Sequence, residues 1–228
     1  MSLEHWIKGK AKEGDTRAAN LGRALLNGFG EVSLPGIEKA SDLDGEWTRQ
    51  AGILADLFAK ELKMTKEQYL DSLPKFTSQQ EEFKGRFDIP VIVETRVTPE
   101  RQFQLAGIET FFDNTQAKDW DGDSEEYKTP VAPYVTWMQD GTRNLGKSVR
   151  SVRKELAKDE RGATVFDGVA LIITHPDILK KHFIDLPSSR VGSDNAPGLC
   201  FWDGRPRLSR SWVDGSSRSY GSASCGRV

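Results

Sequence analysis

The stretch LCFWDGRPRLSRSW, residues 199–212, decides the fold class of this chain. Asp203 and Gly204 separate two extended runs, and an Asp-Gly pair in that position is a strong signal for a tight β-hairpin turn. Pro206 has no backbone N–H to donate to a neighbouring strand, so we expect the second strand to lie at a sheet edge. The stretch therefore predicts a small, mainly antiparallel sheet in the C-terminal half.

Two further runs predict strands upstream of the hairpin. Residues 89–97 are rich in β-branched side chains, and residues 131–139 form a second candidate strand. The acidic loop between them contains Asp119, Asp121 and Asp123, which match the start of a calcium-binding loop. The glycine and the glutamate that such a loop needs at later positions are missing. We therefore expect a solvated loop and no metal site.

Apolar periodicity predicts helices in the N-terminal third. Residues 45–64 place apolar side chains along one face of a 3.6-residue period, and residues 15–27 offer a shorter helix before them. We expect an α+β protein in which a helical N-terminal portion, residues 1–78, packs on a mixed domain. That domain covers residues 79–228 and includes the hairpin and the Ser/Gly-rich tail.

Two capping patterns mark the starts of further helices. Thr65 precedes Gln68 by three residues, and Thr164 precedes Asp167 by the same spacing. In this arrangement each of the two side chains hydrogen-bonds the backbone N–H of the other residue. The second pattern opens an apolar run, residues 165–174, which we expect to form a buried helix.

Composition excludes several classes of protein. The formal net charge is -2, with 32 Lys+Arg against 34 Asp+Glu, so the chain is not a uniformly basic nucleic-acid coat. No apolar run approaches the ~18–20 residues of a membrane span, and the start lacks the pattern of a secretory signal. The two cysteines, Cys200 and Cys225, are too few for a disulfide-stabilised secreted protein. We expect a cytoplasmic protein with free thiols, no membrane association and, in the absence of nucleotide-binding or zinc motifs, no cofactor.

A series of short motifs supports a family resemblance. The motifs are DERGAT at 159–164, DGVAL at 167–171, HP at 175–176, DLPSSR at 185–190 and GSASCG at 221–226. In this order they resemble the C-terminal half of a family of uncharacterised bacterial cytosolic proteins, a domain of unknown function, over residues 85–228. The resemblance implies no catalytic residue, because that family brings no established activity. It does imply that the tail after Asp214 is an ordered part of the domain, whereas its composition alone predicts flexibility.

The arginines and tryptophans of the C-terminal region give the first functional hypothesis. After Lys181 the chain uses arginine and no lysine, and arginine suits planar pairing with carboxylates or phosphates. Such arginines also pair with aspartates inside a protein, which is the structural alternative. Together with aromatic side chains they are typical binding anchors. We expect a binding or interaction protein for an anionic small molecule or a protein partner. The residues that would line its groove are Arg190, Trp202, Arg205 and Trp212.

A second hypothesis is a hydrolase or transferase with its nucleophile near the C-terminus. Nucleophilic catalysis needs a base within hydrogen-bond reach and a third group that holds the base. No Gly-x-Ser-x-Gly elbow precedes a helix here, which weakens this hypothesis. The candidates are Cys225 or Ser224 as nucleophile, His175 or His182 as base, and Asp185 or Asp194 as the orienting group.

A third hypothesis is an RNA- or ribosome-associated protein. Residues 143–158 predict an amphipathic helix with Leu145 on its buried stripe and a basic stripe beside it. Acidic residues dilute the basic stripe, and no aromatic side chain is interleaved for base stacking, so nucleic acid is the less favoured partner. The candidate contacts are Arg143, Lys147, Arg150 and Lys154.

Overall fold

The structure, a computed structural model, describes residues 43–110 and 127–227. The predicted helix at 15–27 and the acidic loop at 119–123 lie outside the described residues. The predicted α+β class is confirmed, because helices accompany two mostly antiparallel sheets where the sequence pointed to a single small one. In the described part of the chain, no helix combines the length and the apolar character needed to cross a membrane.

The helices lie in both halves of the chain. They are α1 Leu43–Phe58, α2 Lys66–Asp71, α3 Pro99–Ala106, α4 Val149–Glu155 and α5 Val165–Thr174. Short 3₁₀ turns occur at Glu81–Phe83, Thr142–Asn144 and Pro176–Lys180. Both predicted capping boxes form, at Thr65 before α2 and at Thr164 before α5.

The strands form two sheets. They are β1 Ile89–Val93, β2 Glu109–Thr110, β3 Tyr134–Gln139, β4 Glu160–Gly162, β5 Phe183–Asp185, β6 Asn195–Trp202, β7 Arg205–Trp212, β8 Tyr220–Ser222 and β9 Ser224–Gly226. The first sheet has the order β1-β3-β9-β4 and is antiparallel throughout. The second has the order β2-β7-β6-β5-β8, with parallel pairing of β2 to β7 and of β5 to β8.

The hairpin forms from β6 and β7. Asp203 and Gly204 make its turn with φ values of 50° and 78°. A two-residue hairpin turn of this hand needs positive φ at both positions, which Asp and Gly tolerate better than most residues. The strands pair from Trp202 opposite Arg205 to Asn195 opposite Trp212. The predicted edge position of the second strand is wrong, because β2 pairs with β7 on its other side. That pairing involves Arg207 and Leu208, so it does not require an N–H from Pro206.

The Ser/Gly-rich tail joins the two sheets. Strand β8 pairs along the edge of the second sheet, and β9 lies between β3 and β4 in the first. Only Ala223 separates them; its N–H donates to the Asp185 carbonyl and its carbonyl accepts from the Ala163 N–H, each at 3.0 Å. The chain therefore passes from one sheet to the other through a single residue whose backbone is bonded on both sides.

Close backbone approach explains why this tail consists of small residues. A Cβ added at Gly221 would lie 2.1 Å from the Gly141 carbonyl oxygen. One added at Gly226 would lie 2.6 Å from the Phe83 ring. Both distances are far inside van der Waals contact, so larger residues would separate the elements that the tail holds together.

Helix α1 covers the free edge of the first sheet. The Gln50 amide donates to the Pro90 carbonyl at 2.7 Å and accepts from the Ile92 N–H at 3.0 Å. The side chain thus replaces a neighbouring strand and satisfies buried backbone groups of β1. Ile92 also belongs to the hydrophobic cluster formed with α1 and α2.

Several predicted boundaries are wrong. Helix α4 starts at Val149 instead of near residue 143, because Gly146 has a φ of 77° and Ser148 caps a new helix. Leu145, predicted to be buried, is 40% exposed as a result. The strands β1 and β3 are shorter than residues 89–97 and 131–139, and α1 stops at Phe58.

Candidate functional site

The hairpin separates the residues that were expected to line one groove. Trp202 and Arg205 pair beside the turn, whereas Trp212 pairs with Asn195 at the opposite end. Along β6 this separation amounts to about 23 Å at ~3.3 Å per residue. An odd number of steps also places the two indoles on opposite faces of the hairpin. Both are exposed, at 59% and 61%, but they do not share a groove.

The two predicted arginines, Arg190 and Arg205, also lie at opposite ends of the hairpin. Arg205 forms an ion pair with Glu109 on the neighbouring strand at 2.5 Å, so its charge is used within the protein. Arg190 is exposed and lies at the other end of the hairpin, next to Val191, whose backbone bridges Asn195. Among the four groove residues, Arg190 therefore remains the best candidate for binding an anion.

Helix α4 brings a further arginine to the end of the hairpin where Arg190 lies. Val149 faces inward and forms a hydrophobic cluster with Ala196 and Val213 of the hairpin region. This packing places Arg153 against the loop that follows β5. Its Nε donates to the Pro187 carbonyl at 2.7 Å, and its Nη2 donates to the Ser189 carbonyl at 3.1 Å.

The surroundings of Arg153 are positively charged. Burial, together with the smaller effect of the charges of Arg190 and Arg150, lowers the pKa of its guanidinium to about 10. Arg150 is neutralised by a bidentate pair with Asp214. Within residues 43–110 and 127–227, no carboxylate forms an ion pair with Arg153 or Arg190. The two guanidinium groups therefore form a region of uncompensated positive charge.

The proposed nucleophiles are buried and lie in structural networks. Ser224 donates to the Glu160 carboxylate at 2.5 Å and accepts from the Gln139 amide at 2.8 Å. Cys225 is fully buried, and burial raises the pKa of its thiol to about 12. A thiol with this pKa is protonated at neutral pH, and only a thiolate is a good nucleophile.

The histidines lie apart from both nucleophiles. The His175 Nδ1 lies 2.9 Å from the Thr174 hydroxyl, and its Nε2 lies 3.4 Å from the Glu46 carboxylate. The His182 Nε2 lies 2.9 Å from the Asp140 carbonyl. None of these contacts includes Ser224 or Cys225, so the structure does not assemble the predicted catalytic set.

The basic stripe predicted for residues 143–158 is largely neutralised. Arg143 pairs with Glu160, Lys147 pairs with Glu155 at 2.7 Å, and Arg150 pairs with Asp214. Because α4 does not extend back to residue 143, Arg143 and Lys147 also leave the face that a continuous helix would have presented. The prediction of one continuous basic helical face over residues 143–158 is therefore wrong.

A buried ion pair was missed by sequence reasoning. Arg161 and Asp167 are 3% and 0% exposed, and their side chains meet at 2.6 Å. Asp167 also accepts hydrogen bonds from Tyr134 and from the Thr164 backbone. The capping pattern located Asp167, but its ion-pair partner has no signal in the local sequence. The satisfied network has a structural role between β3, β4 and α5.

A second buried carboxylate lacks such compensation. Asp185 is 3% exposed. Burial, partly offset by a hydrogen bond from Ser211, raises its pKa to about 6. Its Oδ1 and the hydroxyl of Ser222, its partner in the β5–β8 register, have no hydrogen-bond partner among the described residues. Among the described residues neither His175 nor His182 hydrogen-bonds Asp185, so the orienting role proposed for Asp185 is not supported. The other candidate, Asp194, accepts from the Ser193 hydroxyl at 2.7 Å.

Comparisons with other proteins add no assignment. No protein-family model, no curated protein and no solved structure matches the chain. The resemblance to a family of uncharacterised bacterial proteins therefore stays a prediction. In the parts of the chain that the structure describes, His, Cys, Asp and Glu form no group of three or more that would hold a metal ion.

Proposed function

We propose that the protein binds a compact anionic ligand through Arg153 and Arg190, and that it acts as a binding protein instead of a catalyst. The observation that carries this proposal is the half-buried guanidinium of Arg153. It is fixed on two backbone carbonyls and has no carboxylate counter-ion among the described residues. A charge held in this way is preorganised for an anion, because little side-chain entropy is lost when the ligand arrives.

The hydrogen-bonding capacity of Arg153 supports this role. Its Nε and one N–H of Nη2 are used on the Pro187 and Ser189 carbonyls. Both N–H groups of Nη1 and the second one of Nη2 stay available, since arginine has donors on all three nitrogens. Arg190 is exposed, and its charge acts on Arg153. Arg190 therefore supplies a second set of donors to the same ligand.

The alternatives have weaker support. A nucleophilic enzyme would need Ser224 or Cys225 to reach a substrate, and both are fully buried. An RNA-binding helix would need unpaired cations, and three of the four candidates are paired with carboxylates. An anion-binding protein needs no accessible nucleophile, and its unpaired cations are Arg153 and Arg190, which form no ion pair with a described carboxylate.

The test is a calorimetric titration of the full chain with inorganic phosphate at low ionic strength. Arg190→Gln removes one charge from an exposed position, and Arg153→Lys keeps the charge but removes the planar fork. Each change is expected to weaken binding about 10-fold or more, the effect of losing a charged hydrogen bond. Arg101→Gln is the matched control, because Arg101 pairs with Glu61 on the exposed side of α3.

Two results would overturn the proposal. One is that the wild-type protein releases no heat with phosphate and its melting temperature does not change. The other is that Arg190→Gln binds phosphate as well as the wild type does. Since Arg153 also holds the 187–189 loop, circular dichroism must show that Arg153→Lys is folded, and the exposed Arg190→Gln decides the matter if it is not.

A further inference from the structure

We infer that the ligand of this site carries a dianionic group, namely the phosphate monoester of a small molecule, instead of a single carboxylate. This inference rests on the proposed function and names the chemical class of its ligand. Arg153 and Arg190 present two positive charges that the described carboxylates do not neutralise, so a monoanion would leave one charge uncompensated near a half-buried group.

The positions of the two arginines also favour a phosphate. Arg153 extends from α4 and Arg190 from the loop after β5, so their donors approach a shared ligand from two elements. The Nε side of Arg153 is occupied by the Pro187 carbonyl, which leaves its end-on fork, formed by Nη1 and the second N–H of Nη2, open to a ligand. The exposed guanidinium of Arg190 offers a second fork. The two oxygens of a planar carboxylate fill one fork, whereas the three acceptor oxygens of a terminal phosphate point in different directions and can accept from both.

The neighbouring charges favour a compact ligand. On α4, Arg150 is paired with Asp214, and Lys154 acts electrostatically on the same aspartate. Asp194, in the loop between Val191 and β6, lies near enough to act on Arg150. On β5, the ionisable group is the buried Asp185. Asp194 and Asp214 thus place negative charge beside the positive region, which would repel an extended polyanion such as RNA.

The experiment compares three probes at two pH values on the full chain. Methyl phosphate has a second pKa of about 6, so its dianionic fraction rises about fourfold between pH 5.5 and pH 7.5. Sulfate is a dianion at both pH values, and acetate is a monoanion. Asp185 titrates near the same pH, and its effect on binding appears equally in the methyl phosphate and sulfate titrations. The ratio of the two affinities at each pH therefore cancels this effect.

The expected result has three parts. At pH 7.5 methyl phosphate binds at least about tenfold more tightly than acetate, as two charged contacts against one would produce. Its affinity relative to sulfate rises about fourfold from pH 5.5 to pH 7.5. Both dianions lose affinity in Arg190→Gln and keep it in Arg101→Gln.

The failure of this inference differs from the failure of the proposed function. If acetate and methyl phosphate bind equally well and both depend on Arg190, the anion site stands and the dianion inference is refuted. A phosphate-to-sulfate ratio that does not change with pH refutes it as well. If no probe depends on Arg190, the proposed function fails and the inference fails with it.

Discussion

The uncompensated carboxylate of Asp185 leads to a prediction about stability that depends on pH. Burial raises its pKa from an ordinary 3.8 to about 6, so the folded protein holds the proton more tightly than the unfolded chain does. The stabilisation from this proton is complete below about pH 3.8 and is lost as the pH rises through about 6. At neutral pH the fold therefore contains a buried charge that opposes its stability. Asp185→Asn removes that charge while keeping the shape of the side chain.

The magnitude follows from the two pKa values. Their separation corresponds to about 3 kcal/mol at about 1.4 kcal/mol per pKa unit, and the small exposure of 3% requires no large correction for solvent screening. We expect Asp185→Asn to be more stable than the wild type by up to about 3 kcal/mol at pH 7.5. At pH 5 the wild type is largely protonated in the folded state, so the advantage falls to about half.

The assay is urea unfolding of both proteins at pH 5 and pH 7.5, followed by circular dichroism. Asp167→Asn is the matched control, since this carboxylate is equally buried but paired with Arg161. Removing one member of a buried pair destabilises by about 3–5 kcal/mol, so the control should lose stability at both pH values. The reasoning is refuted if Asp185→Asn is no more stable than the wild type at pH 7.5, or if its advantage is the same at pH 5.

Two further predictions concern the tail and the thiols. Gly221→Ala would place a Cβ 2.1 Å from the Gly141 carbonyl oxygen, so urea unfolding should show a loss of about 2 kcal/mol or more. Gly52→Ala, in α1 with nothing within 4 Å of the added carbon, should instead gain ~0.5–1 kcal/mol, and equal effects would contradict the close approach. Burial raises the thiol pKa of Cys225 to about 12 and that of Cys200 also upward, so a thiol reagent at pH 8 should react slowly until denaturant is added. Fast labelling of Cys225 in the folded protein would show that it is accessible.

Local interactions explain why parts of the fold could be predicted from the sequence. A capping box depends on two residues three positions apart, and both predicted boxes are present at Thr65 and Thr164. The turn at Asp203 and Gly204 depends on the φ preferences of two adjacent residues. Such signals do not require knowledge of which distant segments come together.

The completion of the first sheet and the role of the tail depend on distant contacts. Strand β9 consists of Ser224, Cys225 and Gly226, which have little intrinsic preference for a strand. It becomes a strand because β3 and β4 bond it on both sides. The composition of the tail does not predict this strand, because small residues occur both in flexible linkers and where backbones approach closely.

Of the two arginines in the candidate site, the sequence predicted Arg190 and not Arg153. Arg190 was chosen from its position near the tryptophans, but Arg153 fell outside the predicted basic stripe. The predicted stripe requires a helix that begins at residue 143. The positive φ of Gly146 interrupts that helix, and α4 begins only at Val149. The significance of Arg153 also lies in the absence of a carboxylate partner among the described residues, which no spacing along the chain can show.

The loop after β5 links the tail to the proposed anion site. Ser188 donates its N–H to the Ala163 carbonyl at 3.1 Å, and the Ser189 hydroxyl accepts from the Val165 N–H at 2.9 Å. At the start of this segment the Asp185 carbonyl accepts from Ala223, where the tail crosses between the sheets. The carbonyls that hold Arg153 are therefore fixed by groups from the start of α5 and by the residue that joins both sheets. Because this loop holds Arg153 through carbonyls and residues 186–190 contain no carboxylate, the charge of Arg153 stays available to a ligand from solution.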